Sequence, residues 1–281
     1  MKMDRPYVNI GVCQLKQGYD IKDNLYRALA MVDQAKALEA KVVVLPEIFI
    51  SPYEPESIQS AVHFTREALD EMQKAAKKNQ IYLIAGSLPY ETGMGMPFNR
   101  AIVFDPQGAR IFQHDKIHLF DCNPPGGPAV KESQIVKAGN TIGSFDTPWG
   151  TASVIVCYDI RFTPLIQLLA DRGVSLLFVP ATFSLSTGRA HWEMLVRMRA
   201  LELQGFVIGV QPAFNPDLKY VPYGHSMIAG PWGNKLLDAG QGEAVNVVRL
   251  DLNEIEKIKS RFSLLSHRRN DLYSIIWRKQ E

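Results

Sequence analysis

The sequence predicts an α/β fold, a four-layer α-β-β-α sandwich in which two stacked mixed β-sheets carry helices on both outer faces. Three observations predict it. Apolar runs of strand length alternate with amphipathic helical segments, the pattern of strands joined through helices. Hairpin signals interrupt that alternation, so the sheets are mixed and not purely parallel. About twelve strands and four or five principal helices are counted, and one open sheet of that width would be unusual. No linker or shift of composition divides the chain, so residues 1–281 are read as one domain. Each half holds strands and two large helices, which permits a pseudo-twofold arrangement.

Each element has its own warrant. Tyr7 to Leu15 is a buried strand, and Asp20 caps a helix whose Ile21, Leu25, Ala28, Leu29, Val32, Ala35 and Leu38 share one face. Val42 to Pro46 is apolar throughout, as a strand covered on both faces should be. Phe49 to Pro55 is a loop rich in aromatics and prolines, Phe64 to Lys78 a second amphipathic helix, and Ile81 to Pro89 a strand. Asn99 to Phe104 and Arg110 to Asp115 flank Asp105-Pro106-Gln107-Gly108, a hairpin turn. Pro124 to Pro128 is an irregular loop. Ser144 to Thr147 and Thr151 to Val156 form a second hairpin around Pro148-Trp149-Gly150. Phe162 to Arg172 is a helix that Gly173 stops, and Ser175 to Pro180 is a strand. Ala181 to Arg189 is a loop, His191 to Gln204 a helix and Phe206 to Gln211 a strand. Tyr223 to Ile228, Lys235 to Asp238 and Ala244 to Leu250 are further strands. Asn253 to Arg261 is a short helix before an aromatic, basic tail.

Composition excludes several classes. Hydrophobic residues make up 46% and charged residues 21%, an ordinary globular balance with ample material for a core. The 31 basic and 29 acidic residues nearly cancel, and no long Lys/Arg cluster marks a nucleic-acid binder. The cysteines are Cys13, Cys122 and Cys157, an odd number without CxxC spacing, which argues against a disulfide framework and a zinc site. The scattered histidines show no metal-ligand spacing, and no metal or cofactor is expected. No signal peptide or membrane span is found, so a reducing cytoplasm is the expected location.

The chemistry concentrates where strands end. Val154-Ile155-Val156 runs into Cys157 and then a polar turn and a helix pattern, which puts a thiol at the carboxyl edge of a sheet. A helix N-terminus beside the sulfur favours its thiolate, so Cys157 is a candidate nucleophile; the alternative is a small buried apolar residue. Glu47 directly follows the second strand, where poor solvation raises a carboxyl pKa, unless it caps a turn. Lys116 ends the strand Arg110 to Asp115; alone it reads as a surface lysine.

Three motifs, LPEIFISPY with Glu47, HDKIHLFD with Lys116 and VCYDIRFTPL with Cys157, together resemble the nitrilase superfamily of carbon-nitrogen hydrolases. The resemblance extends to STGRAHWEML, YGHSMI, GPWG and RRNDLY and so runs through the whole chain. Tyr158-Asp159 stands where true nitrilases carry Trp-Glu, and FISPY, KIHLFD and the start of the AHWE helix are similar to the ω-amidase branch. The resemblance implies the carbon-nitrogen hydrolase fold and a Glu-Lys-Cys constellation. Cys157 would attack an amide and pass through a thioester, and Glu47 would move the protons. Lys116 and the backbone N–H of Tyr158 would stabilise the oxyanion, with Lys116 also holding the thiolate. Glu132 would orient Lys116 or the substrate; its alternative is a solvent-facing loop residue.

An ω-amidase pocket must also hold a distal carboxylate, for which Arg161 and Arg189 are the cationic candidates. Tyr53, Phe183 and Thr187 lie on loops that the resemblance places near the pocket; ordinary loop packing is the alternative for all five. His191 is expected to cap or pack its own helix. The implied partners are a small amide, such as 2-oxoglutaramate or 2-oxosuccinamate, and water. The implied assembly is a homodimer or higher homo-oligomer, with the tail 262–281 in contact. Hydrolysis of N-carbamoyl amines, deaminated peptide amides or nitriles is the rival within the superfamily. A non-catalytic scaffold on the same fold is the rival from another class.

Overall fold

A computed structural model of the chain describes residues 6–93 and 95–278. Two six-stranded sheets pack face to face. The first contains β1 (Tyr7–Gln14), β2 (Val42–Val44), β3 (Tyr82–Tyr90), β4 (Phe98–Phe104) and β5 (Arg110–Asp115). A small ribbon follows, β6 (Asp121–Cys122) and β7 (Val130–Lys131). The second sheet contains β8 (Phe145–Thr147), β9 (Gly150–Val154), β10 (Leu176–Pro180), β11 (Phe206–Val210), β12 (Met227–Ala229) and β13 (Lys235–Asp238). The last strand, β14 (Ala244–Asp251), returns to the first sheet. The orders are β14-β1-β2-β3-β4-β5 and β13-β12-β11-β10-β9-β8.

Each sheet is built the same way. Three parallel strands, β1, β2 and β3 in one and β9, β10 and β11 in the other, form its middle, and antiparallel strands flank them. Parallel neighbours need helical crossovers. They are α1 (Ile21–Ala37), α2 (Pro55–Val62) and α3 (Thr65–Asn79) on the first sheet, and α4 (Thr163–Asp171) on the second. The next crossover is a continuous helical run of α5 (Leu185–Thr187), a π-type turn (Gly188–Trp192) and α6 (Glu193–Leu203). A last helix, α7 (Asn253–Arg261), precedes the tail.

Helix ends follow local rules. The Asp20 side chain accepts the N–H groups of Lys22 and Asp23 and starts α1. Gln80 and Gln204, at φ of 51° and 49°, turn the chain out of α3 and α6. Between the sheets lies one apolar layer, with Val8, Ile10, Val12, Val44 and Val103 on one side and Val154, Phe178, Ile208 and Ile228 on the other. Each such side chain taken out of water contributes about 1.5–3 kcal/mol. Leu25, Ala28, Val32, Met72 and Ala76 close the outer face of the first sheet, and Leu165, Leu169, Val196 and Ala200 that of the second.

Some elements depart from the expectations. The segment Pro55–Val62 is helical, so the loop read from Phe49 ends where that helix begins. The helix expected from His191 begins at Leu185. Cys157 does not end a strand but opens a 3₁₀ turn, Cys157–Arg161. Of the expected strand 223–228 only Met227 and Ile228 pair in the sheet, in a strand that runs on to Ala229. In the tail, Trp277 packs on the core while Leu272, Tyr273 and Ile276 stay exposed; positions 279–281 lie outside the described residues.

Gly86 fits the first sheet to the site. It sits at φ +52° in an irregularity of β3, and a Cβ there would lie 2.0 Å from the carbonyl oxygen of Pro46. The next residue, Ser87, donates its N–H to that oxygen and accepts the N–H of Ile48. Gly86→Ala is therefore expected to cost more than about 2 kcal/mol, from left-handed strain plus collision. Urea denaturation checks it; an unchanged midpoint would show that the backbone relaxes freely there.

Candidate active site

Three chain segments from the first sheet and its ribbon converge on Lys116. Glu47 comes from the turn after β2, Lys116 directly after β5, and Glu132 directly after β7. All three side chains are buried from solvent. Lys116 Nζ donates to Glu47 Oε1 at 3.0 Å and to Glu132 Oε1 at 2.9 Å, with Tyr53 Oη at 3.4 Å. Asn99 Nδ2 donates to Glu47 Oε1 at 2.8 Å and to Glu132 Oε1 at 3.2 Å. The N–H of Phe120 donates to Glu132 Oε2 at 2.6 Å.

The β4–β5 hairpin sets this register. The Lys116 N–H donates to the Asn99 carbonyl at 2.9 Å. One step away, Arg100 grips Asp115 through Nε at 2.5 Å and Nη2 at 2.8 Å. That bidentate pair fixes the two strands against slippage.

The second sheet brings the sulfur. After β9 the backbone turns sharply, and Cys157 adopts φ +48°, a left-handed conformation that costs a non-glycine residue about 1–2 kcal/mol. Asp159 holds this elbow. Fully buried, it accepts the N–H groups of Val156 at 3.1 Å and His118 at 2.9 Å. It also accepts His114 Nε2 at 2.9 Å and His118 Nδ1 at 2.7 Å. Burial works to raise the Asp159 pKa, but the histidine hydrogen bonds outweigh it and hold the group far below the usual carboxylate range. From α6, buried Arg199 donates to the carbonyls of Ile160 at 2.7 Å and Arg161 at 3.1 Å, which secures the end of the turn.

The thiol and the Glu47 carboxyl interact directly, and the N–H of Thr182 points to the sulfur. Burial first, and then the Glu47 carboxylate, push the Cys157 pKa well above its ordinary value; Lys116 opposes them and loses. The resting group is a thiol. This differs from the expectation that a helix N-terminus and Lys116 favour the thiolate: the sulfur is largely buried, beside a carboxylate. Burial likewise raises the Glu47 pKa against the pull of Lys116, with Glu132 adding to the rise. Lys116 itself stays an ammonium, because its two carboxylates outweigh the burial that would neutralise it.

The sulfur opens on a small cleft lined by Tyr53, Phe120, Cys157, Tyr158, Arg161, Thr182, Phe183, Thr187 and Tyr220. Among the sequence-predicted residues, Tyr53, Arg161, Phe183 and Thr187 thus line one space with Cys157. Arg189 does not. It lies within the π-type turn, projects to solvent and borders a surface groove with Met194, Arg197 and Trp232. His191, expected to serve its own helix, contacts Arg161 instead.

This geometry joins a buried carboxylate, ammonium and thiol beside a small apolar cavity. The carbon-nitrogen hydrolase family model matches residues 9–260. The chain belongs to the carbon-nitrogen hydrolase family. A Danio rerio protein, omega-amidase NIT2, is 40% identical over 95% of this chain and 96% of its own. The Homo sapiens omega-amidase NIT2 is 37% identical over 96% of this chain and 98% of its own. Among solved structures, the Saccharomyces cerevisiae protein Nit3, a member of branch 10 of the nitrilase superfamily, superposes with a TM-score of 0.87 at 30% identity. That match covers 96% of this chain and 99% of that one. The C. elegans NitFhit protein gives 0.87 at 32% identity, covering 97% of this chain and 68% of that longer chain.

Sequence reasoning missed Asn99, Asp159, His114, Thr182 and Tyr220. The signals were present: a polar Asn99 inside a strand otherwise bound for the core, and an acid two residues past the cysteine in an apolar stretch. Asp159→Ala is expected to cost about 3–5 kcal/mol, because it leaves buried donors unpaired. The lowered pKa fixes the pH dependence. Asp159's contribution is full above the ordinary carboxylate range and is lost as pH falls through its depressed folded value. The stability gap between wild type and variant should narrow as pH falls from the ordinary carboxylate range toward the depressed folded value; a gap that widens on acidification would refute the assignment.

Proposed function

We propose that this chain is an ω-amidase-like hydrolase that converts the terminal amide of a short dicarboxylate monoamide, such as 2-oxoglutaramate or 2-oxosuccinamate, to the acid and ammonia. One observation carries the reading: the buried Glu47–Lys116–Glu132 cluster meets the Cys157 thiol at a cavity whose lining includes a single cation, Arg161. The curated relatives named omega-amidase support the substrate class.

The chemistry follows from the proton inventory. Cys157 Sγ attacks the amide carbon as its proton passes to Glu47. The oxyanion is met by Lys116, whose third N–H makes only a long contact to Tyr53 Oη at 3.4 Å, and by the backbone N–H of Tyr158. Glu47 then protonates the nitrogen, the C–N bond breaks and ammonia leaves. A water gives its proton to Glu47 and attacks the thioester. The C–S bond breaks, Glu47 returns that proton to the sulfur, and the acid departs from the restored thiol. Glu132 keeps Lys116 in place. Arg161 binds the distal carboxylate, and the flat faces of Tyr53, Phe183 and Tyr220 with Thr187 enclose the carbon chain.

Ammonia release from a panel of such monoamides tests this. Wild type should turn over at least one member, Cys157→Ala none, and Glu47→Gln should lose about 100-fold or more in kcat. Because Glu47 must be ionised to accept the thiol proton and burial raises its pKa, kcat/KM should fall on the acid side from a pH above the ordinary carboxylate range. A panel with no substrate would end the proposal.

We further propose that the chain acts as one domain and pairs with a second copy through its tail. The exposed Leu272, Tyr273 and Ile276 are an apolar surface in need of a cover. Light scattering should report twice the chain mass, and Leu272→Asp with Ile276→Asp should shift it to monomer. Among the described residues no helix is long and apolar enough to cross a membrane.

A further inference from the structure

Arg161 is held from three sides. Its carbonyl is fixed by Arg199, and its guanidinium lies over Phe183 with 4.8 Å to the ring centre and over Tyr158 with 5.6 Å. Its Nη1 lies 3.2 Å from His191 Nδ1. An arginine only donates, so Nδ1 must accept and the ring proton sits on Nε2. Burial and the adjacent Arg161 charge both push the His191 pKa down, which keeps the ring neutral and able to accept. Arg161 Nε is buried and has no hydrogen-bond partner among the described residues. Pairing through Nη1 leaves free the Nε/Nη2 edge, the same edge by which Arg100 grips the Asp115 carboxylate in this structure.

The backbone that delivers His191 is specifically built. The π-type turn Gly188–Trp192 adds a residue to the helix register, a departure that occurs mostly at functional sites. Both ends are pinned. A Cβ at Gly188 would lie 2.2 Å from the Tyr223 ring, and fully buried Trp192 donates Nε1–H to the His225 carbonyl at 2.7 Å.

We propose that His191 is a positioning residue for substrate selection: by accepting from Nη1 it aims the Nε/Nη2 edge of Arg161 into the cavity and so favours amides that carry a distal carboxylate. The inference rests on the reading of Arg161 as the carboxylate anchor and adds the group that sets its aim.

The test uses the full chain and a five-carbon dicarboxylate monoamide, with glutarate as a product-like inhibitor. His191→Ala should raise KM and the glutarate inhibition constant together, by about tenfold for a lost hydrogen bond to a charged group, with kcat within about twofold. His191→Asn, whose amide oxygen can accept from Nη1, should recover most of the loss. Arg161→Ala should raise both constants at least as far as His191→Ala. Unchanged constants in His191→Ala beside raised ones in Arg161→Ala would overturn the role of His191 and leave the anchor intact. Unchanged constants in both variants would overturn the anchor and the inference together. A fall in kcat alone, not restored by asparagine, would mark His191 as merely structural and overturn the proposal.

Discussion

The structure depends on an ammonium group taken fully out of water. Burying a lone charge costs several kcal/mol, so Lys116 is tolerable only while both carboxylates stay on it. That requirement reaches far along the chain. The Arg100–Asp115 pair keeps the β4–β5 register that presents Lys116. The β6–β7 ribbon, with almost no core of its own, is tied down where Glu132 accepts from Phe120. Gly86 lets the end of β2 approach closely enough to deliver Glu47. Each of these local choices makes sense only as a support for one buried cation.

The two sheets divide the work. The first sheet and its ribbon supply the charged cluster; the second supplies the thiol, the N–H of Thr182 and much of the cavity wall. The groups meet where parallel strands end, since there backbone and side chains leave the sheets and can turn toward each other. Thr182 Oγ1 donates to the Glu47 carbonyl at 3.3 Å, a direct link between the two halves at this point. A flat interface between sheets would not bring a thiol against a carboxyl group. The left-handed turn at Cys157, held by buried Asp159, brings it there, and the strain is offset by the hydrogen bonds around that carboxylate.

The middle strands and the larger helices were legible in the sequence because their signal is collective: continuous apolar runs for strands covered on both faces, a single apolar stripe for helices. Lys235–Asp238 and Asn253–Arg261 lie where the pattern placed them. The misses share a cause. The strands of the ribbon are two residues each, too short for any periodicity, and α2 hides behind the proline that starts it. The π-type turn cannot be read from spacing, since it changes the spacing; its shift in register is why Arg189 points to solvent while His191 meets Arg161. At the site, Glu47, Lys116 and Cys157 could be picked out as polar or reactive groups at strand ends. Asn99, His114 and Asp159 could not, because their roles exist only through partners 33 to 52 positions away in the chain.

The two carboxyl groups are treated unequally, which suits one of them to the double role of base and acid in the proposed reaction. The cluster holds one ammonium against two carboxyl groups, so it carries an excess negative charge until a proton is added. Glu132 takes Lys116 on both oxygens as well as the Phe120 N–H. Glu47 takes its donors on Oε1 alone; its Oε2 is buried and has no hydrogen-bond partner among the described residues. Glu47 Oε2 is therefore the oxygen of the cluster left open to an added proton. Burial makes both the thiolate and the Glu47 carboxylate costly and raises both pKa values. A carboxyl group whose pKa burial has raised is suited to both halves of the proposed reaction, taking a proton from sulfur and returning it to nitrogen.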